Sequence, residues 1–378
     1  MRTYDIPTLP LKYDLETKAV LKQLSKATRS LAELKGVALT IPNENILIST
    51  LTLQEAKDSS SIENIITTQD DLYKADLDIK KSNISAATKE VRYYREAINY
   101  GFNLAKKHKL LTNKFIIEIQ KCLKHNDEGF RSTPGTKLKR ENGEVVYEPP
   151  QEKARIVEYM SNLEQFINNP DLSDLDPLIK MAIIHHQFES IHPFSDGNGR
   201  TGRIINILYL VINNLLDLPI LYLSRYITHN KLEYYKLIQN IRDKEGNNSK
   251  EWEEWIIFIL KGIEETAQET IVMIKGISAL MTEYKSVLKP IFGPQYKHEL
   301  LNNLFFHPYT KIEFMQNDMM VQRKTATKYL DKIVEAKLLV KVRMGRENFY
   351  INERLRELFI NHAQSYNQEN DTIESTTR

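Results

Sequence analysis

Residues 192–203, which read HPFSDGNGRTGR, carry the residue types that phosphoryl or nucleotidyl transfer requires. The glycines lie on a loop leading into a helix N-terminus, where successive backbone N–H groups and the helix dipole attract anions. Arg200 and Arg203 share one face of the first helical turn, so both can donate to phosphate oxygens. Asp196 is placed to hold Mg²⁺ on those phosphates. His192 is the group suited to accept a proton near neutral pH.

Alternative interpretations of this segment are weaker. A Gly-Asn-Gly run alone would more often be an ordinary turn between two helices, but the convergence of base, carboxylate, anion nest and arginines favours catalysis. The chain contains neither the G-x-x-x-x-G-K-S/T phosphate loop nor the kinase loop set. The nearby His185 and His186 do not match the H-E-x-x-H zinc pattern, and we expect them to be structural.

The same segment resembles the Fic motif, H-x-F-x-D/E-G-N-G-R-x-x-R, at every specified position. The similarity covers roughly residues 45–265, and more loosely the N-terminal helices and the C-terminal part. It implies a protein adenylyltransferase that uses ATP, with Mg²⁺ or Mn²⁺, to place AMP on a Tyr, Thr or Ser hydroxyl. The acceptor would be a target protein or the chain itself. Relatives such as Doc, which transfer phosphate, carry lysine where this chain has Gly199, so AMP transfer is favoured.

The resemblance also implies a role for each site residue. His192 would deprotonate the target hydroxyl, Asp196 would coordinate the metal, and Phe194 would anchor the loop in the core. The implied ATP-binding positions are Glu63, Gly197, Asn198, Gly199, Arg200, Thr201, Gly202 and Arg203. Tyr234 and Tyr235 are candidates to line the adenine pocket, although burial in the core suits them at least as well.

An earlier segment, Ser59 to Asn64, resembles the Fic inhibitory motif S/T-x-x-x-E-G/N. Ser59 and Glu63 are four residues apart and share a helix face. Alone, this pattern would be an ordinary polar helix end. Beside a complete catalytic motif, it predicts that Glu63 pairs with Arg203 and repels the γ-phosphate of ATP. The sequence leaves open whether Glu63 also supports removal of AMP.

The elements that must position these residues are mainly helices. Only 13 of 378 residues are Gly and 13 are Pro, below the usual roughly 7% and 5%. With 41% hydrophobic and 27% charged residues, the chain is predicted to be a mainly α, Fic-type helical bundle, not a disordered or fibrous protein. Apolar spacing predicts helices over about residues 15–34, 44–61, 93–107, 113–123, 153–167, 177–191, 204–216, 231–242 and 252–280.

The segment 129–150 interrupts this helical pattern. Asn142 and Gly143, between residues 136–140 and 144–147, form the turn signal of a β-hairpin. Such a hairpin is either a structural clip or a recognition edge. In the Fic resemblance it is a flap that aligns the target segment by strand addition.

The C-terminal part has a different order of elements. Helices over about 298–306, 310–317 and 322–336, then two strands within 338–351, predict a winged-helix domain. The basic residues of its reading region are Arg323, Lys324, Lys328, Lys332, Lys337, Lys341, Arg343 and Arg346. They favour contacts with DNA phosphates, and use of the domain for protein contacts or dimerisation is equally compatible. The alternative function is therefore a DNA-binding regulator whose Fic domain acts as a sensor.

We divide the chain into an N-terminal helical region that carries the inhibitory motif, a catalytic core with a flap at 130–150, a linking helix, a winged helix and a disordered tail. Their bounds are 1–110, 111–265, 266–290, 291–362 and 363–378.

The net charge of +2 restricts any nucleic-acid role to a local patch. The single Cys122 and the lack of a signal peptide or membrane span predict a cytoplasmic protein. The oligomeric state stays open, a homodimer included.

Overall fold

The computed structural model describes residues 4–77, 84–140, 142–244, 247–344 and 347–360. Its first elements are α1 (Lys18–Ala38), α2 (Glu44–Ile62), α3 (Gln69–Asp76), α4 (Ala86–His108), α5 (Asn113–Lys124), β1 (Leu138–Lys139), β2 (Val145–Tyr147), α6 (Lys153–Asn168) and α7 (Pro177–Ile191). The others are α8 (Asn198–Ile212), α9 (Leu223–His229), α10 (Lys231–Asp243), α11 (Ser249–Phe292), α12 (His298–Phe306), β3 (Tyr309–Lys311), α13 (Ile312–Met319), α14 (Arg323–Glu335), β4 (Val340–Met344) and β5 (Glu347–Ile351). The predicted disordered tail and Arg346 lie outside the described residues.

The chain forms two compact units. The first contains the described residues of Met1–Lys35, Leu51–Thr67 and Ser85–Gln268, and the second those of Gly36–Thr50, Thr68–Ile84 and Glu269–Arg378. In the first unit, α7 packs on α8, and α4 packs on both α5 and α8. Helix α8 is buried on nearly all sides, as expected for the central helix of a bundle. All the residues of the predicted catalytic and inhibitory motifs lie in this unit.

Side-chain caps set the ends of the helices around the site. Helix α5 starts after Thr112, whose side chain accepts a hydrogen bond from the backbone N–H of Phe115, and ends at His125 in the left-handed conformation. Helix α7 starts with Pro177, and the preceding Asp176 accepts from the N–H of Leu178. These helix ends bring the last turns of α5 and α7 to the catalytic loop.

Most predicted helices are confirmed, and the differences have local causes. Helix α8 begins at Asn198 rather than near residue 204, because its first turn is polar and lies outside the apolar repeat. The hairpin strands are shorter than predicted, since their register shifts between Leu138 and Lys139. The short helices α3 and α9 were not predicted. Segments of seven or eight residues are too short to show a helical period.

The second unit shows the predicted order of three helices followed by a hairpin. Strands β4 and β5 pair antiparallel, and β3 pairs with the other edge of β5 to give the order β3-β5-β4. Strand β3 replaces the start of a helix predicted from residue 310, because Thr310 pairs with Tyr350 of β5. Ala326, Leu330 and Ile333 form the buried face of α14.

Within the described ranges, no helix combines the length and the apolar character needed to cross a membrane.

Candidate active site

The loop between α7 and α8 is held in shape by its own residues. Helix α7 ends at Ile191 because His192 adopts a left-handed φ of 50° and Pro193 follows it. The Asn198 side-chain amide donates to the carbonyl of Phe194 at 2.7 Å, and its side-chain oxygen accepts from the Phe194 N–H at 2.9 Å. The Asn198 side chain therefore braces the loop, and its backbone N–H, in the first turn of α8, is left available to an anion.

Phe194 is the apolar anchor of this loop, as predicted. Its side chain is fully buried, with ring centroids 5.4 Å from Phe130 and 6.4 Å from Phe188. Because removing a buried aromatic ring leaves a cavity, we expect Phe194→Ala to lower the free energy of unfolding by about 3–5 kcal/mol. Urea unfolding measures this loss. Val272→Ala, on an exposed face of α11, is the control, expected within about 0.5 kcal/mol of wild type; equal stability of both variants would contradict the anchoring role.

Gly197 is the N-cap residue of helix α8. Its φ of 80° is one that a residue with a Cβ rarely adopts, and its N–H donates to Asp196 Oδ1 at 2.6 Å. The first turn of α8 leaves its leading N–H groups without helical partners, which makes an anion site. Thr201 and Gly202 stay predicted to bind ATP, and only their backbone groups could do so: Thr201 is fully buried, and a Cβ on Gly202 would lie 3.1 Å from Phe188.

His192 is kept neutral by its surroundings. Burial, together with the charges of Arg242 and Arg131, lowers the pKa of His192 to about 3. Arg131 also fixes the backbone of the catalytic loop. Its side-chain Nε donates to the His192 carbonyl, and its backbone N–H donates to the Pro193 carbonyl, both at 2.8 Å. Among the described groups, Nδ1 of His192 has no hydrogen-bond partner. An unprotonated imidazole beside a cavity can accept a proton.

Arg203 is held by the end of helix α2. Its Nε donates to Ser59 Oγ at 2.7 Å, and its Nη2 donates to the Ser59 carbonyl at 3.0 Å and to Glu63 Oε1 at 2.9 Å. The Arg203 side chain is only 2% exposed, whereas that of Glu63 is 36% exposed. The ion pair expected between Glu63 and Arg203 is thus present, and it engages the arginine that a terminal phosphate would need.

The residue after Glu63 explains the shape of this helix end. Asn64 adopts a left-handed φ of 60°, and the N–H of Ile65 donates back to the Ser60 carbonyl at 3.0 Å. This is the helix end that favours Gly or Asn at the left-handed position. The left-handed Asn64 thus ends the chain's helical course directly after Glu63.

Gly199 provides the space for the Glu63 carboxylate. A Cβ built on Gly199 would overlap Glu63 Oε1 and lie 3.0 Å from Arg203 Nη1. Glu63 therefore lies directly against the first turn of α8.

The other charges of the motif form a chain of ion pairs. Asp196 Oδ2 lies 2.8 Å from Lys124 Nζ, which lies 3.3 Å from Glu90. Glu90 in turn lies 2.6 Å from Arg200 Nη1, and the Arg200 side chain is 2% exposed. Arg200 and Arg203 are thus both neutralised by carboxylates of the same unit.

Asp196 is the residue of the motif predicted to hold a divalent cation together with phosphates. Its side chain is 64% exposed, and it already holds a cationic nitrogen at 2.8 Å. No group of three or more His, Cys, Asp or Glu side chains suited to a metal occurs among the described residues. Mg²⁺ is commonly held by one or two carboxylates together with substrate phosphates, and the exposed Asp196 carboxylate could serve as one of them.

Two cavities, of about 910 Å³ and about 840 Å³, open on this loop. The residues that line both are Glu63, Asn64, Leu138, His192 and Gly199. The larger cavity contains Arg203, and the smaller one contains Asp196 and Arg200. Glu63 and His192 therefore lie between the cavity that contains Arg203 and the cavity that contains Asp196, whose carboxylate could hold a metal.

The two candidate adenine residues have different environments. Tyr234 is 2% exposed, and its hydroxyl lies 2.8 Å from His185 Nε2. Both tyrosines line the larger cavity, but Tyr235 is 46% exposed. Tyr235 is therefore the one with the more exposed ring. His185 and His186 are fully buried, the latter 3.3 Å from the carbonyl of Ile238, as expected for structural histidines.

The β1–β2 hairpin forms one wall of the larger cavity. The Tyr147 hydroxyl donates to the Ser190 carbonyl at 2.8 Å, and Gln239 Nε2 donates to the carbonyl of Val146 at 3.1 Å. Arg242 lies 4.1 Å from the Tyr147 ring centroid. The hairpin is thus anchored at β2 beside His192.

Several residues of this site were missed by the sequence reasoning. Glu90, Lys124 and Arg131 lie outside the motif, and Glu189 lies just before it. Burial raises the pKa of Glu189 to about 7, opposed by the nearby charge of Arg203. In the sequence, only the Phe-Glu-Ser segment at residues 188–190, just before the motif, indicated Glu189. For the others no local pattern exists, because they lie on separate helices and one loop.

Comparison with protein families agrees with this geometry. Residues 110–210 match the Fic/DOC family, and residues 21–103 match the Fic/DOC family N-terminal region. The chain belongs to the Fic/DOC family. Residues 280–355 of this Fic protein also match the C-terminal domain of the SoFic-like protein adenylyltransferases.

Curated relatives align with this Fic protein over short stretches. A probable protein adenylyltransferase of Aquifex aeolicus is 46% identical over 54 residues, 14% of this chain and 17% of that protein. Protein adenylyltransferase Fic of Aedes aegypti is 31% identical over 103 residues, 27% of this chain and 20% of that protein. The alignments thus cover no more than a fifth of these relatives.

Solved structures resemble the Fic protein over more of its length. A Fic family protein from Desulfovibrio desulfuricans superposes with a TM-score of 0.55 at 19% identity, covering 90% of this chain and 97% of that one. Fic-1 of C. elegans gives a TM-score of 0.52 at 20% identity, covering 68% and 74%. At this identity, the likeness shows a shared fold.

Proposed function

We propose that this Fic protein transfers AMP from ATP to a Tyr, Thr or Ser hydroxyl of a target protein, which can be the chain itself. The main support is that neutral His192, the N-terminus of α8 and the two arginines of the motif all lie at the same pair of cavities. The names of the relatives support the same chemistry. In our division of the chain, the core 111–265 supplies the loop and the N-terminal region 1–110 supplies Glu63.

In this reaction the target hydroxyl oxygen attacks the α-phosphorus of ATP. His192 accepts the hydroxyl proton as the new P–O bond forms, and the bond to the bridging oxygen breaks to release pyrophosphate. The α8 N-terminus and the two arginines bind the phosphates. Asp196 would hold Mg²⁺ or Mn²⁺, which when bound neutralises phosphate charge. Tyr235 offers its ring to adenine, and the edge of β1 offers backbone groups to the target segment.

Glu63 is proposed to inhibit this activity within the chain. It pairs with Arg203 and fills the space over Gly199, so a γ-phosphate would meet both a blocked arginine and a like charge. Removal of AMP by the same site, with Glu63 orienting a water, is a further part of the proposal. It is measured as AMP released from a labelled target.

The position of the retained label tests the reaction type. We expect the Glu63→Gly protein to incorporate label from ATP labelled in the α-phosphate or the adenine, and none from ATP labelled in the γ-phosphate. Incorporation of the γ-label alone would show phosphate transfer and overturn the proposed reaction.

A second candidate function, DNA binding, rests on helix α14 of the second unit. Arg323, Lys324 and Lys328 are exposed there, at the N-terminal half of the helix, which is the part of a recognition helix that contacts bases. We expect the full chain to bind duplex DNA at low salt, with affinity falling as salt rises. Charge reversal of these three residues should abolish binding in a mobility-shift titration. Absence of binding by wild type at low salt would leave a protein-contact or dimerisation role for this unit.

A further inference from the structure

We propose that Lys124 is an internal cation that occupies the metal position at Asp196, and that metal binding moves its ammonium group fully onto Glu90. The inference rests on the proposed function, because it concerns the cation that this reaction requires. It adds Lys124 and Glu90 to the site as positioning residues.

The first observation is the enclosed position of the Lys124 ammonium. Nζ lies 2.8 Å from Asp196 Oδ2 and 3.3 Å from each carboxylate oxygen of Glu90. The Lys124 side chain is only 14% exposed, whereas that of Asp196 is 64% exposed. A metal ion arriving from the smaller cavity therefore reaches an open carboxylate already paired with a positive charge. A second cation at that carboxylate would repel the ammonium group, and this repulsion favours departure of the ammonium group from Asp196.

The second observation is that the lysine stem is fixed while its end can move. Lys124 is the last residue of α5, and a Cβ built on Gly197 would lie 3.3 Å from its Cγ and Cδ. The stem is thus packed against the catalytic loop. Only the terminal carbons and Nζ can swing, and Glu90 already lies within reach.

The third observation is that the exchange leaves no charge unpaired. In the present structure Asp196 pairs with Lys124, and Glu90 pairs with both Arg200 and Lys124. When Mg²⁺ binds Asp196 and the ATP phosphates take Arg200, Lys124 and Glu90 remain to pair with each other. An unpaired charge at such low exposure would be costly. Glu90 is therefore the residue that receives the displaced cation.

The test measures binding of Mn²⁺ alone to the nucleotide-free full chain, using the electron paramagnetic resonance signal of free Mn²⁺. We expect Lys124→Met to tighten Mn²⁺ binding about tenfold, the size expected for losing one competing charge-assisted hydrogen bond. The gain should vanish when Asp196→Asn is added. Glu90→Gln should weaken binding relative to wild type, because the displaced ammonium then has no carboxylate to receive it.

Two further variants control for charge and for folding. Lys124→Arg keeps the cation and should bind Mn²⁺ as weakly as wild type. Lys121→Met removes a lysine of the same helix that pairs with exposed Asp127, and it should change nothing. Thermal unfolding of every variant shows that the fold is kept.

Three outcomes would overturn the proposal: Lys124→Met binding no tighter than wild type, a gain that survives Asp196→Asn, or Glu90→Gln binding as wild type does. Since this readout needs no catalysis, failure here leaves AMP transfer standing. Conversely, absence of AMP transfer in the labelling assay leaves the metal-binding result intact.

Discussion

Glu63→Gly should increase AMP incorporation by about 10- to 100-fold, since a charge-assisted hydrogen bond contributes roughly 1.5–3 kcal/mol. The substitution frees Arg203 for the γ-phosphate and empties the space over Gly199. Position 63 follows the last residue of α2, so glycine there does not interrupt a helix. The measurement is incorporation of α-labelled ATP into the protein at equal concentrations of both forms.

The Glu63→Gln variant separates charge from volume. Glutamine keeps the shape of the side chain and removes its negative charge. If repulsion of phosphate dominates, Glu63→Gln will show most of the increase; if filled space dominates, it will remain close to wild type. No increase for Glu63→Gly, in a protein that unfolds at the wild-type temperature, would contradict the inhibitory role.

The second large effect is expected for His192. Loss of a positioned general base typically costs about 10²- to 10⁴-fold in rate, and we expect His192→Ala to lose that much in the Glu63→Gly background. His298→Ala is the matched control, because His298 is exposed and lies in the second unit. Labelling that survives His192→Ala would overturn the mechanism.

The pH dependence of transfer gives an independent check on His192. A base is active while unprotonated, and burial with Arg242 and Arg131 lowers the pKa of His192 to about 3. The rate should therefore not fall as pH drops from about 7 to about 6, where an ordinary histidine becomes protonated. Because burial raises the pKa of Glu189 to about 7, the contradicting result is a fall centred near pH 6.5 that persists in Glu189→Gln.

Much of the site could be predicted because its chemistry lies in one continuous segment. The residue order of the loop between α7 and α8 places the base, the carboxylate and the helix N-terminus together through local geometry alone. Helix α12 and the end of α7 could likewise be located from periodicity and proline. Even the Glu63–Arg203 pair followed from two motifs, although its partners lie 140 residues apart.

The roles of single side chains were less predictable. The sequence predicts Asn198 and Thr201 to bind ATP, but it does not show that the Asn198 side chain closes the loop or that Thr201 is buried. Tyr234 and Tyr235 are sequence neighbours with opposite exposure. Consecutive helix residues point about 100° apart, and only packing against His185 decided which one turned inward.

The sequence by itself determined the loop, the helical character and the family, because a motif and a helical period are properties of short segments. Only the tertiary structure decided which counterions hold the motif. Glu90 reaches Arg200 across 110 residues of chain, and Lys124 reaches Asp196 from the end of α5. Such pairs depend on how helices pack, and packing is set by contacts between segments far apart in the chain.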